Sequence, residues 1–204
     1  ENLRSLTFPE NLKTINHPIF SISTRASSNE SYHISTIYWN AINYEEEFRY
    51  IYKSGYNTYY YPGLGYTDYS NYTSSGLDDY NSTITKVVFG ENTQVIPSYL
   101  CCRLNSINEI VIPNSVVRIE SYAFLQSTVA TVRIGNGVTS IGSGVFDGCY
   151  KLQYIYCSAI TPPILGSSAI PTSVGIIYVP RESVDEYRAL WNDFANKIAA
   201  YDFE

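Results

Sequence analysis

Apolar residues recur along the chain in units whose spacing settles to 22 or 23 residues. The first, fourth and sixth positions of every unit hold an apolar residue or cysteine. Alternate residues of a strand point to opposite faces, so the fourth and sixth positions predict a short strand with one buried face. Units with this pattern begin at Leu3, Ile34, Ile84, Ile107, Val129, Leu152 and Val174.

Turn residues and further apolar columns follow the strand pattern. Proline or glycine at the seventh position ends the strand in most units. This column contains Pro9, Gly90, Pro113, Gly135 and Pro180. The later apolar columns contain Leu12, Ile15, Val116, Ile119, Val138 and Ile141, and then Phe20, Cys101, Phe124 and Phe146. A single unit cannot bury its apolar face, so the pattern predicts a β-rich solenoid whose parallel sheet has about seven short strands.

The C-terminal segment has the pattern of a capping helix. Ser183 and Glu186 have the spacing of a capping box, S-x-x-E, which predicts a helix N-terminus. Apolar residues then recur every three or four positions, as on one face of a helix. They are Val184, Tyr187, Trp191, Phe194 and Ile198. We expect this face to close the end of the solenoid core.

The domain organisation follows from these patterns. Residues 1–173 are predicted to form the solenoid, with a tyrosine-rich insertion at about 45–83. Residues 174–204 would provide the last strand and the helical cap of the same continuous domain. Leu3 starts in the middle of the repeat pattern without a capping motif, so we expect an upstream unit or capping segment.

Specific motifs suggest a family. Residues 107–124 read "INEIVIPNSVVRIESYAF", and Gly148 with Cys149 closes the next unit. These motifs resemble the BspA-like leucine-rich repeat family. Further similar segments are residues 36–44, 84–101, 152–170 and 174–198. The resemblance leaves out residues 21–33 and about 45–83, and it implies a leucine-rich-repeat solenoid.

The resemblance also carries expectations about location and role. The BspA-like family is known chiefly from surface proteins of Bacteroides-type bacteria and some mucosal parasites. It therefore implies an extracellular or bacterial cell-surface protein that takes part in adhesion. The sequence itself contains no signal peptide and no apolar run as long as a membrane span.

Composition excludes some partners and catalytic mechanisms. The net charge of −6 makes nucleic acids and anionic membranes poor partners. His17 and His33 have no partner at metal-ligand spacing, and no motif for catalysis or cofactor binding occurs. We therefore expect no enzyme, catalytic residue, metal or cofactor. The four cysteines are interpreted as buried thiols, with a Cys149–Cys157 bridge as the alternative.

Tyrosine is the unusual residue, and it suggests where a partner binds. Residues 44–83 contain 11 of the 21 tyrosines and are predicted to form a long loop. A degenerate repeat with Tyr56, Tyr59 and Tyr61 in register is the alternative. Candidate partner-binding residues are Tyr59, Tyr60, Tyr66 and Tyr69 in this segment, and Tyr154, Tyr156 and Tyr178 on the open sheet face, the face opposite to the core. Neighbouring strands are expected to place Tyr156 beside Tyr178. Alternatively, these rings only pack against the protein.

The sequence favours a non-catalytic binding module. Tyrosine offers a wide contact area with a hydroxyl group, which suits the binding of proteins or sugars. We expect a cell-surface or secreted adhesion module for a host protein or a glycan. The alternative is a structural spacer or surface-assembly component without a specific ligand.

Overall fold

A computed structural model describes residues 4–13, 35–44, 50–54, 57–61 and 84–204. These residues form a β-rich repeat fold with parallel sheets and one short C-terminal helix. Strands are numbered in chain order. The front row contains β1 (Ser5–Phe8), β2 (Thr36–Trp39), β5 (Lys86–Phe89), β7 (Glu109–Ile112), β9 (Thr131–Ile134), β11 (Tyr154–Cys157), β13 (Ile176–Pro180) and β14 (Ile198–Tyr201).

A second row of shorter strands lies in the return segments, by which we mean the stretches of chain that connect one front strand to the next. It contains β6 (Val95–Ile96), β8 (Arg118–Ile119), β10 (Ser140–Ile141) and β12 (Ile164–Leu165). These strands form one four-stranded parallel sheet in the order β12-β10-β8-β6. The return segments therefore add hydrogen bonds between units as well as apolar side chains.

The expected single sheet of about seven strands is wrong in number and continuity. The front row forms two parallel sheets, β1-β2-β5 and β7-β9-β11-β13-β14. β14 was not expected, and no hydrogen-bonded ladder joins β5 to β7. Within each sheet, however, the repeat register holds, because Ile110 pairs with Val132 and Val132 with Ile155. All three side chains are fully buried, as the fourth position of each unit predicts.

The units stack closely through aromatic side chains and glycines. The rings of Phe124 and Phe146 stack with centroids 5.4 Å apart. A Cβ atom on Gly137 would lie 2.0 Å from the carbonyl oxygen of Asn114, so glycine is required where the two units approach. Close backbone approach therefore fixes the spacing of neighbouring units.

The tyrosine-rich segment contains a hairpin that the sequence analysis did not predict. β3 (Tyr50–Ser54) and β4 (Asn57–Tyr61) pair antiparallel and lie in a sheet of their own. This pairing corrects the expected long loop over these residues. It also contradicts a degenerate repeat at Tyr59 and Tyr61, because repeat strands would pair parallel with their neighbours.

The C-terminal cap buries the predicted residues through a different backbone. Helix α1 (Val184–Leu190) has one turn of 3-10 helix before it (Arg181–Ser183), and a second 3-10 helix (Asn192–Lys197) follows before β14. Tyr187, Trp191, Phe194 and Ile198 are all buried. The helix is short because the chain leaves it at Trp191 and then adds β14 beside β13.

The predicted capping box is not formed. The side chain of Ser183 makes no capping hydrogen bond to α1. Ser183 already has helical backbone angles, with φ −103° and ψ −1°, whereas an N-cap residue has extended backbone that directs its oxygen at the first free N–H groups. The preceding 3-10 turn therefore removes the geometry that the S-x-x-E pattern requires.

Hydrogen bonds from side chains hold the cap against the last units. The Tyr187 hydroxyl donates to the carbonyl oxygen of Ala159 at 2.7 Å, and Trp191 Nε1 donates to that of Pro163 at 2.9 Å. Burial raises the pKa of Tyr187 well above its usual range. Among the described residues, no helix is both long and apolar enough to cross a membrane.

Candidate binding surface on the open sheet face

The structure describes three of the seven candidate tyrosines with their side chains. Tyr154 and Tyr156 lie on β11, and Tyr178 lies on β13, all on the face of the sheet opposite to the core. Tyr59 and Tyr60 lie in β4, and their side chains are outside the described part of the chain. Tyr66 and Tyr69 are outside the described residues, as are His17 and His33.

The open-face tyrosines form a stacked row that we call the tyrosine ladder: Tyr154, Tyr156, Tyr178 and Tyr201. The register pairs Tyr156 with Tyr178, and their rings stack with centroids 4.8 Å apart and an interplanar angle of 19°. Tyr154 stacks on Tyr178 at 6.5 Å. The predicted side-by-side arrangement of Tyr156 and Tyr178 is therefore confirmed.

Tyr201 was missed by the sequence analysis. It lies on β14, and its ring contacts Tyr156 edge-on at 5.1 Å and Tyr178 at 5.6 Å. The ring of Phe203 extends the row, 4.9 Å from that of Tyr201. The segment Ile198–Tyr201 is short and follows a helical pattern, so nothing in the sequence separates it from the helix.

An arginine and a glutamate continue the row on β9 and β7. Arg133 lies 4.4 Å above the ring centre of Tyr156, within the range of cation–π attraction. Its Nε donates to Glu109 Oε1 at 2.9 Å. Both side chains are about half exposed, so this ion pair orients the guanidinium more than it stabilises the fold. The register could have revealed Arg133, because it holds the same position in its unit as Tyr156 and Tyr178.

Charge on the open face differs from that of the whole chain. The charged side chains that the described front strands present there are Lys86, Glu109 and Arg133, and two of these are cationic. A second ion pair, Arg181 with Asp202 at 2.8 Å, lies next to Tyr201. Among the described front strands, Glu109 is thus the one acidic side chain on the open face, and it is paired with Arg133.

The cysteines offer no reactive thiol. Cys101, Cys102, Cys149 and Cys157 are free and buried, which excludes the alternative of a Cys149–Cys157 bridge. Burial raises the pKa of Cys102 to about 12 and that of Cys157 to about 11, and it also raises the pKa of Cys101 and Cys149. The thiolate is the nucleophilic form, so these residues are structural.

We expect the native protein to resist thiol alkylation. Iodoacetamide at mildly alkaline pH should label none of the four cysteines until the chain unfolds, because each thiol is buried and neutral. Mass spectrometry of the native and guanidinium-unfolded protein measures the number of labels. Labelling of the native chain at the rate of the unfolded chain would contradict the burial described here.

Within the described ranges, no group of three or more His, Cys, Asp or Glu side chains could hold a metal ion. The open face offers tyrosine hydroxyls, ring edges, aliphatic side chains and one oriented guanidinium. These groups suit recognition of a surface.

Parallel strands that recur every 22 or 23 residues over one shared core define a repeat protein of the leucine-rich type. The family model described as the BspA type leucine rich repeat region matches residues 80–177 in six copies. Residues 80–177 are therefore a BspA-type leucine-rich repeat region, which confirms the resemblance over these residues. None of the curated proteins compared with the chain matches it.

The family carries general properties. BspA-type repeats generally belong to surface-associated proteins, serve in protein interaction and are not catalytic. These general properties agree with an open sheet face rich in tyrosine and poor in charge.

Proposed function

We propose that the chain is a non-catalytic binding module, secreted or held at a cell surface, that binds an extracellular protein on its open sheet face. The observation that carries this proposal is the tyrosine ladder, with Arg133 stacked on Tyr156. Tyrosine and arginine are enriched among the residues that dominate binding energies at protein interfaces. Adhesion to a host protein is the specific form of this function that we favour.

The geometry of the ladder favours a protein over a glycan. The rings of Tyr156 and Tyr178 stack on each other at 4.8 Å, so their flat faces are largely covered. The ladder therefore presents ring edges and hydroxyl groups, whereas stacking on a ligand requires a free ring face. The aliphatic side chain of Ile176, which pairs with Tyr154 in the register, widens the apolar contact area.

A role as a structural spacer is the competing function. A spacer needs only the buried columns, and the open face would then have no reason to collect exposed apolar groups. Tyr154 and Ile176 are partners in the register, and each is more than a third exposed, as is Tyr201 in the same ladder. Clustered exposed apolar groups on a soluble surface commonly mark a contact site.

The test measures binding and stability together. Purified protein is screened against arrays of extracellular proteins and of glycans. Saturable binding to a protein should fall about tenfold in Tyr178→Ala, since an interface tyrosine typically contributes at least about 1–2 kcal/mol. Tyr178→Phe keeps the ring and its stacking but removes the hydroxyl. Tyr150→Ala is the matched control, because Tyr150 is 86% exposed and outside the ladder.

Each result has a clear meaning. Affinity lost in Tyr178→Ala with an unchanged melting temperature supports the proposal, provided that Tyr150→Ala binds normally. Ladder variants that lose only thermal stability would mean that these rings serve packing alone. Binding restricted to the glycan array, or no saturable binding on either array, would overturn a protein-binding function.

A further inference from the structure

The front row of strands is interrupted between β5 and β7, which are not hydrogen-bonded to each other, although the units that contain them remain stacked. β5 ends one sheet and β7 begins the next. Behind them, β6 and β8 are hydrogen-bonded, with Ile96 paired to Ile119. The rings of Phe89 and Phe124 also touch, with centroids 6.3 Å apart. The interruption is thus confined to the front of the molecule.

One backbone hydrogen bond that joins neighbouring front strands elsewhere is missing between β5 and β7. At four of the other steps, the carbonyl of the last core-facing residue of a strand accepts from the N–H of the residue that follows it in the pattern of the next strand; at the step from β11 to β13 this position is a proline, Pro180. These bonds run from Asn40 to Phe8, from Gly90 to Trp39, from Gly135 to Ile112 and from Ser158 to Ile134. For the carbonyl of Phe89 the corresponding donor would be Pro113, and proline has no N–H.

The backbone groups that face the interruption follow from strand alternation. On β7, Ile110 and Ile112 direct their N–H and C=O groups to β9, so Glu109 and Val111 direct theirs to β5. By the same alternation, Val87 and Phe89 direct theirs from β5 towards β7. These residues line a groove of 570 Å³ between the two strands.

We propose that this groove takes up an extended peptide segment of a protein partner as an additional strand between β5 and β7. A backbone in extended conformation supplies N–H and C=O groups at the strand repeat of about 3.3 Å, which matches the free groups on both edges. Val88 and Val111 provide apolar contacts at the opening, and Lys86 and Glu109 flank it.

An inserted strand requires β5 and β7 to move apart at the front of the molecule. Neighbouring strands lie about 4.8 Å apart, so three strands span about 9.6 Å from β5 to β7. The β6–β8 pair remains bonded behind the groove and acts as the hinge on which the front of the two sheets separates. This site is distinct from the tyrosine ladder, which lies on the far side of Arg133 from the groove, although Glu109 flanks the groove and also pairs with Arg133.

Hydrogen exchange measured by NMR tests the free protein. The amides of Glu109 and Val111 should exchange faster than those of Thr131 and Arg133, which hold the same positions in the next unit and face a paired strand. Because the amides of Glu109 and Val111 each lack a hydrogen bond with a net value of about 1 kcal/mol, we expect each to exchange at least about fivefold faster than its counterpart. Equal protection at the two steps would mean that β5 and β7 are paired in solution, which would overturn the proposal.

A synthetic peptide tests uptake directly. The probe has the sequence of residues 129–136, a strand of this chain in which Gly135 can supply the N–H donor that the carbonyl oxygen of Phe89 lacks. Saturable binding should protect the amides of Glu109 and Val111 from exchange. The control peptide is N-methylated at the three alternate residues beginning with Thr131, which removes the donors that face one strand. Equal binding of both peptides, or binding without protection, would refute strand addition.

A variant of the protein closes the groove. Pro113→Ser restores a backbone N–H at the position where Ser158 donates in a later unit. We expect slower exchange at Val111 and a loss of peptide binding of about tenfold or more, since a paired step must be broken first. Unchanged peptide affinity in this variant would place the peptide elsewhere. Protection of the same amides by a glycan but by no peptide would also overturn the proposal.

Discussion

Replacing Trp191 with alanine should lower the free energy of unfolding by about 3–5 kcal/mol, the cost of truncating a buried tryptophan. The side chain is 3% exposed and stands at the open end of the repeat core. Its ring packs edge-on against Tyr187 with centroids 4.9 Å apart, and its Nε1 donates to Pro163. The substitution therefore removes apolar contacts and leaves the Pro163 carbonyl oxygen without this donor.

Denaturant unfolding followed by circular dichroism measures this effect. Leu190→Ala is the matched control, because Leu190 is the preceding residue, ends helix α1 and is 62% exposed. We also expect Trp191→Ala to bind a dye specific for exposed apolar surface, since a terminal repeat without its cap exposes the core. If Trp191→Ala unfolds like Leu190→Ala, this segment does not cap the core.

The strand register could be predicted because burial repeats with the units. A residue such as Val132 is buried by the preceding and following units, which carry the same pattern. The position of each buried residue therefore follows from its own unit alone. Side-chain alternation then places Tyr156 and Tyr178 on the opposite face, and the register sets them side by side.

The interruption between β5 and β7 could not be predicted from the same pattern. Pro113 ends its own strand, as proline does in this column, and that local effect is visible in the sequence. Its second effect is the loss of a donor to Phe89 on the neighbouring strand, which requires knowledge of the pairing. Pro180 in the same column still leaves β13 paired with β11, so proline alone does not decide the outcome.

The cap and the hairpin were misjudged for different reasons. Apolar residues from Tyr187 to Ile198 keep a helical spacing, but this spacing also fits a chain that turns at Trp191 and returns as a strand. In the hairpin, consecutive tyrosines hide any alternation of apolar and polar residues. The two residues between β3 and β4, with Gly55 first, were a hairpin signal that the composition of the segment obscured.

Replacing Ile110 with alanine should lower the free energy of unfolding by about 2–5 kcal/mol, because the truncation leaves a cavity that rigid neighbours fill only in part. Ile110 is fully buried on β7 and pairs with Val132 of the next unit. In a repeat protein, stability is nearly the sum of the units and the interfaces between neighbours. A cavity beside the first strand of the five-stranded sheet weakens the interface with β9 and the contact with the β5 unit together.

Val111→Ala is the control for Ile110→Ala, since the two residues are adjacent on one strand but Val111 faces outward and is 54% exposed. Its truncation should change the free energy of unfolding by no more than about 0.5 kcal/mol. Equilibrium urea unfolding gives both values, and a slope lower than that of the parent would indicate that the units no longer unfold together. Equal costs at the two sites would mean that the face assigned as core is not buried in solution. A large cost at Val111 with a small one at Ile110 would shift the register by one residue and turn the tyrosine ladder inward.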